Sequence, residues 1–564
     1  MGNVVINGIE VDVDPKSNII QAAMEAGVEI PYYCWHHDLS VVASCRMCLV
    51  EVGEKKPDGS VAMLPRLVPA CQTPAKPGTV VRTDTEKVKA SREQTLEYLL
   101  LNHPLDCSIC DQAGECYLQD YTYKFGRAHS RLNEPKVQRE DKYHIGDQIA
   151  LFTDRCVMCT RCVRFTREIS GTSELHVINR GSLEEIDIFP GQPCNNKLAG
   201  NVVDICPVGA LCSKDFLYKK RVWWLKSSDS VCAGCSTGCS ISVDQNDKEN
   251  KVYRLRPREN PKAQGSFMCD DGRFGWKYID SPDRLKAPRK GKLSSTTQVA
   301  THPNTVQDDL TFVDPWPSVL QDVQKSIAEV AGRDGKKFVA VLSPFMTCEE
   351  AYLLSSYLKT LNRGITLALG DVPVDGEDDL YPKGPRGESP AADKVKFTIR
   401  AEKCPNRRGV EAVLRHHQGE VIPFARAMKM IDEKSVDGAF IVGGNPRGLG
   451  DAALARRLSE LKVLIVMDIL RSPISDQADF VLAGAAFAER EGTVINHAGL
   501  AQRYHIAVRP PGEARSDGRI LMELAGRKGL FHSASILKEM SVLIPAFSGL
   551  STGEVGEEGT VVLR

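Results

Sequence analysis

The 564-residue sequence contains no apolar run of about 18 residues, the length a membrane-spanning helix needs, so no direct membrane insertion is expected. Charge of one sign is also missing. The 72 Lys and Arg against 73 Asp and Glu leave a formal net charge of −1, which gives no whole-chain argument for nucleic acid or anionic lipid as a partner. The opening segment MGNVVINGIE lacks a basic n-region and an apolar h-region, so no signal peptide is expected. Ile6 stands where a myristoylation motif needs Ser or Thr. Cysteine is scarce in the last 294 residues, which hold only Cys348 and Cys404; the first 270 hold 17 of the 19. An odd number of cysteines without an export signal argues against a disulfide framework and for metal ligation. With hydrophobic residues at 42% and charged residues at 26%, the composition is that of folded protein, and the length suggests three or four domains at roughly 150 residues each.

The cysteines fall into four groups: Cys34, Cys45, Cys48 and Cys71; Cys107, Cys110 and Cys116 with His103 just upstream; Cys156, Cys159, Cys162 and, before Pro207, Cys206; and Cys232, Cys235, Cys239 and Cys269. They provide 15 Cys and one His, four sets of four ligands, and leave over Cys194, Cys212, Cys348 and Cys404. Four thiolates, with His an occasional substitute, are what an iron-sulfur cluster requires. Structural zinc is the competing reading, but it usually takes two close C-x2-C pairs, whereas three of these groups carry a tight triad plus one remote ligand.

Residues 3–13 read as two short strands about the turn signal Asn7-Gly8, followed by an amphipathic helix in NIIQAAMEAG that stops at Gly27. Strand, turn, strand, helix and then a cysteine loop resemble a β-grasp ferredoxin. The spacing C-x10-C-x2-C-x22-C is therefore assigned a [2Fe-2S] cluster. His36 and His37 beside Cys34 are read as solvated or packing residues, because the cysteine set is already complete. In HPLDCSICDQAGEC three cysteines lack a fourth thiolate, and His103, near the end of an expected helix over 91–103, completes a [4Fe-4S] set. DRCVMCTRC with the distant Cys206-Pro207 resembles a two-cluster bacterial ferredoxin. Its second cluster would need cysteines at Thr166, Asn196, Ala199 and Val202, so one complete [4Fe-4S] set remains. Cys212 is expected in a helix after the cluster loop. VCAGCSTGC with Cys269 resembles the small [4Fe-4S] domain at the front of molybdopterin oxidoreductases.

In the cysteine-poor half, strands are expected at 337–343, 438–444 and 461–468, and a helix at 348–361; their alternation argues for a doubly wound α/β domain. Gly443-Gly444-Asn445 could line a nucleotide site, though glycines after a strand are more often a tight turn. Residues 283–317 and 371–392, rich in Pro, Gly and charge, read as linker or long loops. The segment 478–503 also resembles a molybdopterin oxidoreductase body, and such a body is much longer than the stretch of chain after Cys269.

In this order the parts resemble the large iron-sulfur subunit family of NADH:quinone oxidoreductase, in the peripheral arm of respiratory complex I. The likeness extends over the chain, is most specific at HPLDCSICDQAGEC, DRCVMCTRCVRFTREISG and GNVVDICPVGAL, and weakens after about residue 285. It implies a multidomain α/β and α+β chain. The expected domains are a β-grasp [2Fe-2S] domain (1–85), a His/Cys3 [4Fe-4S] module (86–138), a one-cluster ferredoxin-like domain (139–225), a Mo/W-oxidoreductase-type [4Fe-4S] domain (226–285) and a truncated doubly wound molybdopterin-oxidoreductase-like domain (286–564). It implies one [2Fe-2S] and three [4Fe-4S] clusters, no molybdopterin, no catalytic residue and no substrate site of its own. Electrons would come from the FMN-bearing, NADH-oxidising subunit and leave for a two-cluster ferredoxin-like subunit and the quinone-site subunits, coupled in the whole complex to proton or sodium translocation. The implied path runs through the Cys34, Cys156 and His103 clusters. The Cys232 cluster lies off it and points to a bacterial protein, held peripherally on the cytoplasmic side of the inner membrane. Cys212 and Cys348 are taken as buried or incidental thiols. A formate dehydrogenase with the same front modules would need a metal-ligating Cys followed by His, but Cys348 precedes Glu349-Glu350 and Cys404 precedes Pro405-Asn406. An iron hydrogenase would keep both ferredoxin clusters and a Cys-Cys-Pro type motif, and no two cysteines here are adjacent.

Overall fold

The structure, a computed structural model, describes residues 2–563 apart from 15, 294–313, 333 and 386. Asn7 and Gly8 both take positive φ, 50° and 88°, the geometry of a two-residue hairpin turn between strands Gly2–Ile6 and Ile9–Val13. Asn18 then caps helix Ile19–Glu25 through a reciprocal bond with Gln21. Gly27, at φ 69°, ends that helix as Val28 N–H donates back to Ala23 O. The five-strand path runs Ile9–Val13, Gly2–Ile6, Thr79–Arg82, Leu49–Lys55, Val61–Met63, with Gly2–Ile6 parallel to Thr79–Arg82. Its buried face (Val4, Ile6, Val50, Val81) packs on Ile19, Ile20 and Ala23 of the helix. This is the expected β-grasp arrangement.

The chain divides into two compact units, Met1–Leu225 with Tyr381–Val395 and Lys226–Leu380 with Lys396–Arg564. Within the first, helices Glu86–Leu100 and Tyr117–Phe125 flank the His103 segment, and short helices Arg161–Glu168 and Asn201–Ile205 flank the ferredoxin-like loops. One expectation needs correction. Cys212 lies in strand Leu211–Ser213, paired antiparallel with Ile149–Leu151, rather than in a helix; the ladder uses its backbone while its side chain is buried. Residues 371–392, read as linker or long loops, are largely irregular, and the described residues from Tyr381 on belong to the first unit, where Lys383 N–H donates to Ile169 O.

In the second unit an antiparallel sheet, Lys226–Val231, Ser240–Asn246 and Lys251–Pro257, carries the fourth cysteine group. A six-stranded sheet comes next in the order Arg289–Lys290, Phe480–Ala483, Val463–Asp468, Gly438–Val442, Phe338–Leu342, Thr366–Leu369, parallel except for its first edge. Phe338, Ala340 and Leu342 face one apolar core with helices Trp316–Ala331, Cys348–Leu361 and Arg407–Gln418. Val339 and Val341 face another with helices Phe424–Asp432 and Ala452–Leu458. Strands apolar on both faces are the mark of a doubly wound domain. Arg289–Lys290, inside the expected linker 283–317, is an edge strand of that sheet; residues 294–313 of that linker lie outside the described residues.

Candidate metal centres

No cysteine of the four groups is in a disulfide. Cys34, Cys48 and Cys71 are almost wholly buried, and the Cys34 sulfur is within hydrogen-bond reach of both Cys45 and Cys71. Donation by those two thiols pulls the Cys34 thiol well below its ordinary range, while Cys45 and Cys71 are pushed up in return. Cys48 joins through Cys71. Ala43 and Arg46, both at positive φ without being glycine, bend the loop around this set. Backbone outliers of that kind concentrate where structure is organised for a ligand. His36 and His37 stack on each other at 4.6 Å and His37 pairs with Asp38 at 3.2 Å.

In the second group, Asp106 O accepts from the N–H groups of Ile109 and Cys110, folding the loop between Cys107 and Cys110. Arg221 ties down the same turn, donating to Cys110 O at 2.9 Å and Cys107 O at 2.8 Å. Burial, reinforced by the Lys136 and Arg155 cations, pushes His103 down to about 4. Its imidazole is thus neutral near pH 7, the state that can donate a lone pair to a metal. Arg155 is a charged neighbour of both His103 and Cys110.

The third group lines a small cavity with Cys156, Cys159, Cys162 and Cys206, beside the apolar side chains of Leu151, Val157, Ile186, Val208 and Leu211. Met158 and Thr160 adopt positive φ, turning the chain between successive thiols. Burial raises all four thiols, Cys159 to about 11. Loading a metal therefore releases protons. The amides of Leu211, Val208 and Ala210 face the Cys206 sulfur. Among the described residues, the cavity lining includes neither Cys194 nor Cys212. Thr166, Ala199 and Val202, three of the four positions where a second cluster would need cysteine, are buried side chains.

The fourth group is buried throughout. Gly234 N–H points at Cys232 Sγ and Gly272 N–H at Cys269 Sγ, both at 3.4 Å. A Cβ on Gly272 would lie 2.9 Å from Cys232 Sγ and 3.6 Å from Cys269 Sγ, so this glycine lets the helix start approach both sulfurs. Cys232 is pushed up to about 12 by burial and the neighbouring Cys235. In chemistry the donor sets suit iron-sulfur clusters, and the third group lines one cavity.

Elsewhere in the second unit, the Asp468 carboxylate takes the space beside Gly443 and accepts from Gly444 N–H, which makes the glycines a tight turn. Cys348 is buried at the start of its helix, 3.5 Å from Asn406 Oδ1, and Cys404 is equally buried. Neither offers an exposed thiolate.

Three features are not evident from the sequence: the Arg221 clasp, the approach of Gly209 to Cys110, and a pair of buried arginines. Arg161 donates to Trp35 O at 2.6 Å and Ile205 O at 3.0 Å. Arg164 donates to Ser40 O, to Cys159 O at 3.1 Å, and closely to Cys34 O. The spacing R-C-V-R, which sets both on one side of a helix turn beside a ligand cysteine, was the available signal.

Five family models match in chain order. They are a 2Fe-2S iron-sulfur cluster binding domain (3–86), an NADH-ubiquinone oxidoreductase-G iron-sulfur binding region (92–131), an NADH-quinone oxidoreductase subunit 3 ferredoxin-like domain (146–212), a molybdopterin oxidoreductase Fe4S4 domain (225–281) and molybdopterin oxidoreductase (412–527). The G subunit of the NADH-quinone oxidoreductase of Rickettsia conorii is 36% identical over 359 residues, 63% of this chain and 48% of that protein. The Rickettsia bellii protein of the same name is 29% identical over 96% of this chain and 88% of its own length. The mitochondrial NADH dehydrogenase iron-sulfur protein 1 of Solanum tuberosum is 42% identical over 271 residues, 48% of this chain and 35% of that protein. The chain spans about half the length of the first curated relatives it matches. With iron-sulfur and molybdopterin-oxidoreductase family models matching in the order of its sequence motifs, the chain is similar to the G subunits of NADH-quinone oxidoreductases and their mitochondrial counterpart.

Proposed function

We propose that the chain is the iron-sulfur electron conductor of an NADH:quinone oxidoreductase. It holds one [2Fe-2S] cluster on Cys34, Cys45, Cys48 and Cys71. Three [4Fe-4S] clusters sit on His103, Cys107, Cys110 and Cys116; on Cys156, Cys159, Cys162 and Cys206; and on Cys232, Cys235, Cys239 and Cys269. When bound, such clusters supply one-electron carriers. The chain's own residues position them and keep water away. The proposed division into domains at 85, 138, 225 and 285 follows the four ligand sets. Electrons arrive from an FMN-bearing, NADH-oxidising subunit and leave for a two-cluster ferredoxin-like subunit and the quinone-site subunits. The complex holds the chain on the cytoplasmic side of a bacterial inner membrane. In keeping with peripheral attachment, no helix among the described residues is long and apolar enough to cross a membrane.

The observation that carries this reading is the third group, where the distant Cys206 joins the three thiols of one loop in lining a single cavity. The test is metal content. Two irons for the binuclear cluster and four for each cubane predict about 14 iron atoms per chain with no molybdenum. Stoichiometric molybdenum, or zinc in place of iron, would defeat it.

His103 gives a second expected result. His103→Cys exchanges a neutral ligand for an anionic one, so the cluster should persist with a lower midpoint potential, because added negative charge stabilises the oxidised form. An unchanged midpoint and EPR spectrum in that variant would remove His103 from the ligand set.

A further inference from the structure

Arg161 and Arg164 are 5% and 3% exposed, and each reaches two loops at once. Arg161 binds the carbonyl of Trp35, next to Cys34, and that of Ile205, next to Cys206. Arg164 binds the carbonyls of Cys34 and Cys159 themselves, with Ser40 O as a further acceptor at 2.5 Å. The rings of Tyr32 and Tyr117 lie 5.6 and 5.9 Å from the Arg161 guanidinium. Among the described residues every hydrogen-bond acceptor of the two guanidiniums is a backbone carbonyl and neither arginine is ion-paired with a carboxylate, although the Glu168 carboxylate, near the end of the same helix, acts electrostatically on Arg164.

Two buried cations without an ion-paired carboxylate are costly unless an anion lies close. Glu168 supplies part of it for Arg164, and the groups common to both arginines are the thiolates on either side. Cys34 and Cys159 act electrostatically on Arg164, and Arg161 acts on Cys159 and Cys206. We propose that Arg161 and Arg164 form a cationic bridge between the Cys34 and Cys156 centres that fixes their ligand loops against each other and raises the reduction potential of both. The proposal rests on the ligand sets given above. Reduction adds negative charge to a centre that already carries four thiolates, and a fixed cation beside it favours the reduced form. Because each guanidinium touches both loops, its effect falls on both centres. The arginines are positioning residues and touch no substrate.

The measurement is an EPR redox titration of the full chain in its assembled complex. Arg164→Gln keeps hydrogen-bonding groups but removes the charge, and both midpoints should become more negative. Arg164→Lys keeps the charge, reaches fewer carbonyls and should shift them less; it also preserves the test if the glutamine variant loads poorly. Clusters present with both midpoints unchanged in a loaded Arg164 variant, or a shift confined to one centre, would overturn the bridge. A wild-type chain without two separate signals from these centres would instead overturn the ligand sets, and the bridge with them.

Discussion

Cys206→Ser is expected to remove the cubane of the Cys156 group, about four of the 14 irons, and to stop electron flow from NADH to quinone. Cys194→Ser and Cys212→Ser should leave both in place. The chain separation makes this a sharp comparison, since 43 residues lie between Cys162 and Cys206 and both rivals sit close to Cys206 in sequence. The fold decides among them by what each sulfur faces. Cys206 lines the cavity with the other three thiols, and three amides, from Val208, Ala210 and Leu211, face its sulfur. Such donors stabilise a thiolate once metal has displaced its proton. Cys194 is fixed by its backbone to Ile145 O at 2.7 Å, with Asn196 Nδ2 3.9 Å from its sulfur. Cys212 sits in the strand against Ala150 with its thiol 3.5 Å from Gly209 O. Serine in place of Cys206 leaves a poor ligand for iron in an apolar cavity. Iron analysis and the EPR spectrum of the three variants check the result. A cubane lost in Cys194→Ser but kept in Cys206→Ser would overturn the ligand set.

The parts of the molecule that a sequence reveals are those written in local chemistry. Asn7-Gly8 demands a tight turn whatever surrounds it, and Gly27 stops its helix at positive φ; both lie where the pattern put them. The run FVAVL is apolar on every residue because both faces of its strand are covered, so the doubly wound domain was also readable. Cys212 was misplaced because a three-residue strand carries too little pattern to separate it from a helix turn, and only its pairing with Ile149–Leu151 defines it. Residues 371–392 read as linker or long loops by composition; that the part from Tyr381 on belongs to the first unit depends on backbone bonds across more than two hundred residues of chain. Arg161 and Arg164 would pass for the solvated face of an amphipathic helix. Their burial depends on the Cys34 loop, which comes from the far end of the same unit.

Gly209→Ala is expected to cost the chain its His103-group cluster, although residue 209 belongs to neither ligand set. A Cβ at this position would lie 2.2 Å from Cys110 Sγ and 3.0 Å from Gln112 Cβ, so an atom must move. Cys110 is poorly placed to yield, because Arg221 holds its carbonyl and its own amide is bonded to Asp106 O. The glycine segment is pinned as well. Pro207 O accepts from Tyr117 N–H at 3.0 Å and Ala210 O from Phe152 N–H at 2.8 Å. Overpacking of this kind costs roughly 1–3 kcal/mol even where neighbours relax. Here relaxation displaces either the Cys110 ligand or the segment that begins at Cys206 and lines the neighbouring cavity. The methyl group should therefore extinguish the His103-group signal and perturb that of the Cys156 group, while the Cys34 and Cys232 signals persist. Gly275→Ala is the matching control, with φ −75° and no atom within 4 Å of its added Cβ. It should keep all four signals. A Gly209→Ala chain with full iron and normal EPR from both neighbouring centres would mean that the two cluster loops have more freedom than their backbone bonds allow.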